Sequence, residues 1–280
     1  MPLSVLITIV TAIILICYFS DTTAEDEKMV VACAGDSITA GNGPDIEHNI
    51  SYPAMLQHYL GHRHFAVKNF GLAGVTAIEG LPLSYSNRSE FNELLASSAR
   101  VVLIMLGTND ANERYWNETN YIRSYSLLID KVESMASQPV VFMITPPPFY
   151  LASWRYAFTK KTINSKLRPL VVGLARRKDL SVIDAFDAMG GDALSKPSLF
   201  GDGCHPSLQG MQVLAEVTAC PVLQQLLGHG HFSSEKRLGP HSNQHHQQHH
   251  HLRHLNGNIS YLNCSEVNMW FHPHNSSSAG

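Results

Sequence analysis

Five short apolar runs, separated by segments with helical spacing of apolar residues, constrain the fold of this chain most strongly. The predicted strands are 29–35, 65–70, 101–106, 139–145 and 180–184. The predicted helices are about 52–60, 89–97, 120–136, 158–177 and 207–226. Residues 101–106 are all apolar, as expected of a strand buried on both faces. Strands that alternate with helices predict an α/β fold of three layers (α/β/α), with a five-stranded parallel sheet between two layers of helices.

Prolines interrupt this pattern at two points. Pro169 falls inside the fourth helical pattern, where the missing N–H and the ring kink or split a helix. Pro146, Pro147 and Pro148 follow the fourth strand and predict an extended loop at the carboxyl edge of the sheet.

Composition divides the 280-residue chain into three parts. Hydrophobic residues make up 44% and charged residues 15%, which excludes global disorder. A leader over 1–24 precedes a predicted globular domain over 25–227, and a tail over 228–280 is rich in His, Gln, Asn, Ser and Gly. That composition predicts disorder over most of the tail, with a short ordered piece around 259–271.

The net charge of −3 shows no excess of basic residues of the kind that binds nucleic acid, so we expect no nucleic-acid partner.

The leader predicts entry into the secretory pathway. Residues 3–19 are almost wholly apolar, and small polar residues follow them. We predict a signal peptide cleaved near Glu25 and a secreted protein with no stable membrane association; the alternative is an uncleaved N-terminal anchor, for which the apolar run is long enough. Six Asn-x-Ser/Thr sequons support a glycoprotein: Asn49, Asn87, Asn117, Asn258, Asn263 and Asn275.

Four cysteines remain after loss of the leader, namely Cys33, Cys204, Cys220 and Cys264. In an oxidising compartment they allow three complete pairings. We favour Cys220–Cys264 because that bond would fasten the tail, and Cys33 is equally well explained as a small core residue of the first strand.

The first predicted strand ends in Gly35-Asp36-Ser37. Gly35 permits a sharp turn, and the Asp36 side chain can hydrogen-bond the turn. Because ligands bind beyond the carboxyl ends of strands in open α/β sheets, the motif predicts a reactive serine at such a site. It differs from the Gly-x-Ser-x-Gly elbow of α/β-hydrolases, since Thr39 occupies the position of the second glycine.

Three further polar stretches lie at strand ends or loops: Asn69 to Thr76, Gly107 to Asp110, and Asp202 to Pro206. With the serine motif they resemble, in order, the four motifs of the SGNH hydrolases, also called GDSL-type esterases. The resemblance covers about residues 29–226. It implies a flavodoxin-like sheet order and a serine carboxylic-ester hydrolase that needs neither cofactor nor catalytic metal.

The resemblance also implies a catalytic triad of Ser37, His205 and Asp202. A serine hydroxyl is a poor nucleophile until a base takes its proton, and an imidazole has a pKa suited to that task. Asp202, three residues before His205, would orient the imidazole and stabilise its protonated form. The simpler account of His205 is a residue that merely begins the last helix.

The resemblance assigns the oxyanion hole to the backbone N–H groups of Ser37 and Gly74 and the side-chain amide of Asn109. Gly71 competes with Gly74, but the register Asn-x-x-x-x-Gly-x-Thr resembles that of the family with Gly74 in the hole, which leaves Gly71 as a turn residue. We expect Asp110 to support its loop rather than to react.

Cys204 occupies a variable position beside the candidate base. A disulfide there would stiffen the loop, whereas a free thiol would lie next to the imidazole. A nucleophilic Cys204–His205 pair is the remaining alternative, although adjacent side chains point apart.

The motifs most resemble the sialate O-acetylesterase-like or carbohydrate-esterase-like branch, which implies removal of small acyl groups, mainly acetyl, from sugars. Tyr150, Trp154 and Tyr156 follow the proline-rich loop and would either stack on a sugar ring or belong to the core or a lid. The rival esterase is lipid-directed, such as a lysophospholipase or a platelet-activating-factor-acetylhydrolase-like enzyme.

A rival of another class is a secreted metal- or surface-binding protein that acts through its tail. Neutral imidazoles bind Zn, Cu and Ni, although the tail lacks the fixed spacing of a closed site and is equally explained as a flexible polar segment. The candidate ligands are His245, His246, His249, His250, His251 and His254.

Overall fold

All five predicted strands are present in the computed structural model, which describes residues 28–43, 50–228 and 271–272. They are β1 (Met29–Gly35), β2 (Phe65–Gly71), β3 (Ala99–Met105), β4 (Val140–Ile144) and β5 (Ser181–Ile183). These strands are parallel and lie in the order β2-β1-β3-β4-β5, so the predicted five-stranded, flavodoxin-like sheet is confirmed. A sixth strand that the sequence did not predict, β6 (Phe271–His272), pairs antiparallel with β5.

The predicted helices are also present, within a few residues at each end. The helices are α1 (Ser37–Ala40), α2 (Tyr52–Leu60), α3 (Ser89–Ala96), α4 (Glu118–Glu133), α5 (Ala157–Thr162), α6 (Arg168–Lys178), α7 (Ala185–Ala188) and α8 (Leu208–Gly228). The short helices α1 and α7 were not predicted. Single turns of 3₁₀ helix occupy Tyr85–Asn87, Trp154–Tyr156 and Pro197–Leu199.

Pro169 splits the fourth predicted helix, as expected. A π-helical segment, Ile163–Leu167, joins α5 to α6, and Pro169 lies in the first turn of α6. The regular α-helical hydrogen bonding is therefore interrupted directly before Pro169, as expected at a residue that has no N–H to donate.

The sheet separates two hydrophobic layers, and alternate residues of each strand face opposite layers. In β1, Val31 and Cys33 belong to the hydrophobic cluster that contains residues of α2 and α8, whereas Ala32 and Ala34 belong to the cluster that contains residues of α3, α4 and α6. Residues 101–106 are buried on both sides, as their uniform apolar character predicts. The three-layer architecture is therefore confirmed.

The predicted leader over 1–24, Cys264 and nearly all of the tail over 228–280 lie outside the described residues. Cys220 is disulfide-bonded to a partner that also lies outside them, so the Cys220–Cys264 pairing stays a prediction. Of the six sequons, Asn87 and Asn117 are described and exposed. Across the described ranges, no helix is long and apolar enough to cross a membrane.

Candidate active site

The strand order places the candidate site at the carboxyl ends of β1 and β3. The chain leaves β1 toward β2 on one side, and β3 begins the other half of the sheet, so a crevice opens where the order reverses. Ser37 follows β1 at this point, and Asn109 follows β3. The loop that carries Gly74 follows β2, the other neighbour of β1.

Ser37 is held by the turn that ends β1. The Asp36 carboxylate accepts a hydrogen bond from the Ile38 N–H (3.0 Å) and so caps α1, of which Ser37 is the first residue. Ser37 is buried, with 8% of its surface exposed. A side chain at Gly35 would collide with Thr39 and with the Met105 carbonyl oxygen (2.6 Å), so this position requires glycine.

The structure brings Ser37, His205 and Asp202 together in one chain of hydrogen bonds. The Ser37 Oγ lies 3.0 Å from His205 Nε2. The other ring nitrogen, His205 Nδ1, lies 2.7 Å from Asp202 Oδ2. A nucleophile bonded to a base, and the base bonded to an orienting carboxylate, is the arrangement that activates a serine hydroxyl.

Asp202 is itself fixed by the turn that it shares with His205. Its Oδ1 accepts the backbone N–H groups of Cys204 (2.8 Å) and His205 (2.7 Å). Partial burial acts to raise the pKa of Asp202, but hydrogen bonds from the His205 ring and from these two N–H groups outweigh it, and the pKa is lowered. The carboxylate therefore stays charged beside the imidazole at neutral pH.

Gly203 connects the histidine turn to the loop after β4. Its carbonyl oxygen accepts the N–H groups of Tyr150 (2.7 Å) and Leu151 (3.2 Å). Gly203 has φ +82°, and a side chain there would lie 2.7 Å from the Leu151 nitrogen, so only glycine fits. The loop after β4 contains no helix or strand over residues 145–153, and these two hydrogen bonds hold it against the turn that carries His205.

The residues predicted for the oxyanion hole lie on neighbouring loops. Gly74 has φ +79°, a conformation that favours glycine. The Asn109 amide donates one hydrogen bond to the Val75 carbonyl (2.9 Å), which fixes its orientation beside Gly74 and leaves its second N–H available. Within the described part of the chain, the Ser37 and Gly74 backbone N–H groups have no hydrogen-bond acceptor.

Asp110 fastens the Gly74 loop to the Asn109 loop, in the supporting role expected of it. Its two carboxylate oxygens accept the N–H groups of Ala77 (3.0 Å) and Ile78 (2.9 Å), and the residue is fully buried. Burial raises the pKa of Asp110 to about 7, although these two N–H groups limit the rise. Sequence reasoning did not identify these donors, because they lie more than thirty residues away.

Gly71 is placed differently from the turn residue that was predicted. It is the last residue of β2 and packs directly on α1, where a side chain would lie 2.7 Å from the Thr39 carbonyl carbon and closer still to the Ala40 nitrogen. Gly71 therefore acts by allowing close approach between β2 and the helix that begins with Ser37. The sequence around Gly71 does not distinguish this packing role from that of a turn residue.

Cys204 has a free thiol that is half-buried beside His205. Burial, with smaller effects from the charges of Asp36 and Asp202, raises its pKa to about 12. The thiol is therefore protonated at neutral pH, which disfavours the alternative of a nucleophilic Cys204–His205 pair.

The three aromatic residues after the proline-rich loop have different environments. The Tyr150 hydroxyl donates to the Met189 carbonyl (2.9 Å) and accepts the Lys196 N–H (3.1 Å), so this tyrosine is structural. Trp154, in contrast, is 87% exposed, and Tyr156 is 39% exposed.

Among the described residues, no cluster of His, Cys, Asp and Glu side chains could hold a metal ion. The tail histidines lie outside the described residues, so metal binding by the tail stays a prediction.

The geometry agrees with a comparison of the whole sequence. The profile of the GDSL-like lipase/acylhydrolase family matches residues 33–213, which is more than half of the chain. The chain belongs to this family. Membership in the GDSL-like family classes it among carboxylic-ester hydrolases, and the resemblance stated from the motifs is confirmed.

Relatives of this GDSL-like protein include an acetylxylan esterase from Xylanibacter ruminicola, which is 29% identical over 216 residues. The alignment covers 71% of this chain and 44% of the relative, so the chain spans less than half of that protein.

Solved structures support the fold. The M. smegmatis aryl esterase matches with a TM-score of 0.58 and 21% identity, covering 70% of this chain and 99% of that one. A carbohydrate acetylesterase family member from Sinorhizobium meliloti matches with a TM-score of 0.58 and 22% identity, covering 71% and 99%.

Proposed function

We propose that this protein is a serine esterase that removes acetyl groups from carbohydrates. The observation that carries the proposal is the connected set of hydrogen bonds from Ser37 Oγ through the His205 ring to Asp202, at 3.0 Å and 2.7 Å. The similarity to an acetylxylan esterase supports an acetylated sugar as the substrate.

In the acylation step, Ser37 Oγ attacks the ester carbonyl carbon while its proton passes to His205 Nε2. The charged Asp202 stabilises the imidazolium that forms. The carbonyl oxygen becomes an oxyanion, which the N–H groups of Ser37, Gly74 and Asn109 stabilise. When the intermediate collapses, His205 returns the proton to the departing sugar hydroxyl and the acetyl group stays on Ser37.

Deacylation repeats this sequence with water as the nucleophile. His205 takes a proton from water, the hydroxide attacks the acetyl-enzyme, and the second tetrahedral intermediate releases acetate and restores the Ser37 hydroxyl. The products are acetate and a sugar with a free hydroxyl group. No step requires a group other than the chain's own residues and water.

The test is substitution of the nucleophile. Ser37→Ala should lower hydrolysis of p-nitrophenyl acetate by about 10³-fold or more, because residual rate would come only from binding and the oxyanion donors. Circular dichroism and the melting temperature should match those of the parent, and activity within tenfold of the parent would refute the role of Ser37.

Acyl-chain profiling tests the substrate. Parallel assays with p-nitrophenyl esters from acetyl to dodecanoyl should show highest kcat/KM for acetyl. A preference for chains of eight or more carbons would instead support the lipid-directed alternative.

We also propose that the esterase acts in the secretory pathway or outside the cell. The apolar leader, the two exposed sequons and the disulfide-bonded Cys220 support this location. N-terminal sequencing of protein collected from culture medium should find Glu25 or a residue close to it, whereas an intact Met1 would contradict cleavage.

A further inference from the structure

A surface segment beside the candidate site combines three aromatic with three cationic side chains. We call residues 154–161 the basic aromatic rim; its sequence is Trp-Arg-Tyr-Ala-Phe-Thr-Lys-Lys. Trp154 is 87% exposed, and Tyr156 and Phe158 are each 39% exposed. Tyr156 packs on Phe149 (ring centroids 6.2 Å apart), whereas the Trp154 ring is almost wholly in water. A large aromatic side chain is costly to leave in water, so the exposed Trp154 beside two partly exposed aromatic side chains indicates a binding surface.

The charge of the rim contrasts with that of the whole chain. Arg155, Lys160 and Lys161 contribute three positive charges and the rim contains no acidic residue, whereas the chain carries a net charge of −3. None of the three cations forms a salt bridge with a described residue. Unpaired cations on one exposed segment create a local positive potential that attracts anionic ligands.

The rim is linked to the turn that carries His205 through the loop after β4. Lys160 Nζ donates to the Tyr150 carbonyl (3.4 Å), so the rim folds back onto the loop after β4. That loop donates the Tyr150 and Leu151 N–H groups to the carbonyl of Gly203, two residues before His205. The rim therefore begins three residues after a backbone contact with the turn that carries His205, from the Leu151 N–H to the Gly203 carbonyl (3.2 Å).

We propose that the rim binds acetylated glycans that carry carboxylate groups, with Trp154 stacked on a sugar ring and the rim cations paired with the carboxylates. This inference rests on the proposed function and narrows its substrate class to acidic glycans. A sugar ring presents C–H groups to an aromatic face, and guanidinium and ammonium groups bind carboxylates through charge-assisted hydrogen bonds. Arg155 and Lys161 are the cations assigned to ligand, since Lys160 is occupied by Tyr150.

Direct binding is the first test, and it does not depend on turnover. Oligogalacturonate without ester groups, a carboxylate-bearing probe, is titrated calorimetrically into the full chain in 20 mM salt, with a neutral oligosaccharide of equal length in parallel. The acidic probe should bind about tenfold more tightly, and the difference should shrink in 0.5 M salt, because salt screens exposed charges. Equal binding of both probes, or no binding of either, would overturn the inference.

Variants then locate the binding surface. Arg155→Gln/Lys161→Gln should abolish the preference for the acidic probe, and Trp154→Ala should weaken both probes by about tenfold. The matched control is Arg176→Gln/Arg177→Gln, which removes two exposed cations at the end of α6, on the opposite edge of the sheet, and should leave the preference unchanged. If the control abolishes the preference equally, net charge rather than the rim explains binding.

Kinetics separate this inference from the proposed function. The ratio of kcat/KM for acetylated polygalacturonate to kcat/KM for acetylated glucomannan should be about ten in the parent and close to one in Arg155→Gln/Lys161→Gln. This ratio is insensitive to a general loss of folded protein. Equal rates on both polymers would overturn the inference alone, whereas failure to deacetylate either polymer would overturn the proposed function. Tighter binding of a single-stranded polynucleotide than of oligogalacturonate would also overturn the assignment to glycans.

Discussion

Gly71→Ala tests whether close packing of β2 on α1 positions the nucleophile. The added methyl group would lie 2.7 Å from the Thr39 carbonyl carbon and closer still to the Ala40 nitrogen, whereas an ordinary contact begins at 3.4 Å, so α1 and β2 must separate by more than about 0.7 Å there. The obstructing atoms belong to the backbone and have no alternative rotamer. Because Gly71 does not have a positive φ, alanine causes no backbone strain and the effect is steric.

The expected loss is large for a single methyl group. The displaced helix begins with Ser37, whose Oγ must stay within hydrogen-bond distance of His205 Nε2, now 3.0 Å away. Misplacement of reacting groups by about 1 Å costs about 10²-fold in rate, so we expect kcat for p-nitrophenyl acetate to fall by about 10- to 100-fold. Overpacking should also cost about 1–3 kcal/mol of stability, or several degrees in melting temperature.

Gly173→Ala is the matched control for this substitution. A methyl group at this position in α6 would meet only the Arg177 Nη1 atom at 3.6 Å, an ordinary contact, and alanine favours helix by up to about 1 kcal/mol. The control should therefore keep full activity and melt at the same or a higher temperature. Activity of Gly71→Ala within threefold of the parent, measured below its melting temperature, would refute the claim that this contact positions Ser37.

Four other substitutions test the site, each assayed with p-nitrophenyl acetate unless stated. Asn109→Ala should lower kcat by about 10²–10³-fold with little change in KM, and a change in KM alone would contradict its oxyanion role. Asp202→Asn should lower kcat by about 10³–10⁴-fold, since the imidazole loses its orienting carboxylate; a loss below tenfold would contradict this. Cys204→Ser should stay within threefold, because the pKa of the thiol is raised to about 12, and a greater loss would implicate the thiol. The pKa of Asp110 is raised by burial from 3.8 to about 7, so the stability that its proton provides is complete below about pH 4 and is lost as pH rises through 7. Asp110→Asn should flatten the fall of melting temperature between pH 4 and 7.5, and an unchanged slope would contradict the raised pKa.

The features that were predicted from sequence are those set by nearby residues. Residues 101–106 form a buried strand because six apolar side chains in succession fit only a segment covered on both faces. Pro169 splits a helix through its own missing N–H. The likeness of four short motifs to a known family brought Ser37, Asn109 and His205 into one hypothesis, which chain spacing alone does not do.

The features that were missed depend on partners far along the chain. Gly71 looks like a turn residue, and only the approach of α1 shows why a side chain is excluded. The strand Phe271–His272 has two residues, and its pairing with β5 joins segments almost ninety residues apart. Asp110 was expected to support a loop, but the loop it fastens is the one that carries Gly74.

The hydrogen bonds from Tyr150 and Leu151 to Gly203 have a consequence for engineering. The loop that leads into the basic aromatic rim and the turn that carries His205 are held by one shared anchor, the Gly203 carbonyl. A graft that replaces the whole loop to change selectivity would also disturb proton transfer, so selectivity and turnover would shift together. Mutant libraries restricted to residues after 153 would keep the hydrogen bonds to Gly203. They would vary the surface offered to the sugar without disturbing the position of His205.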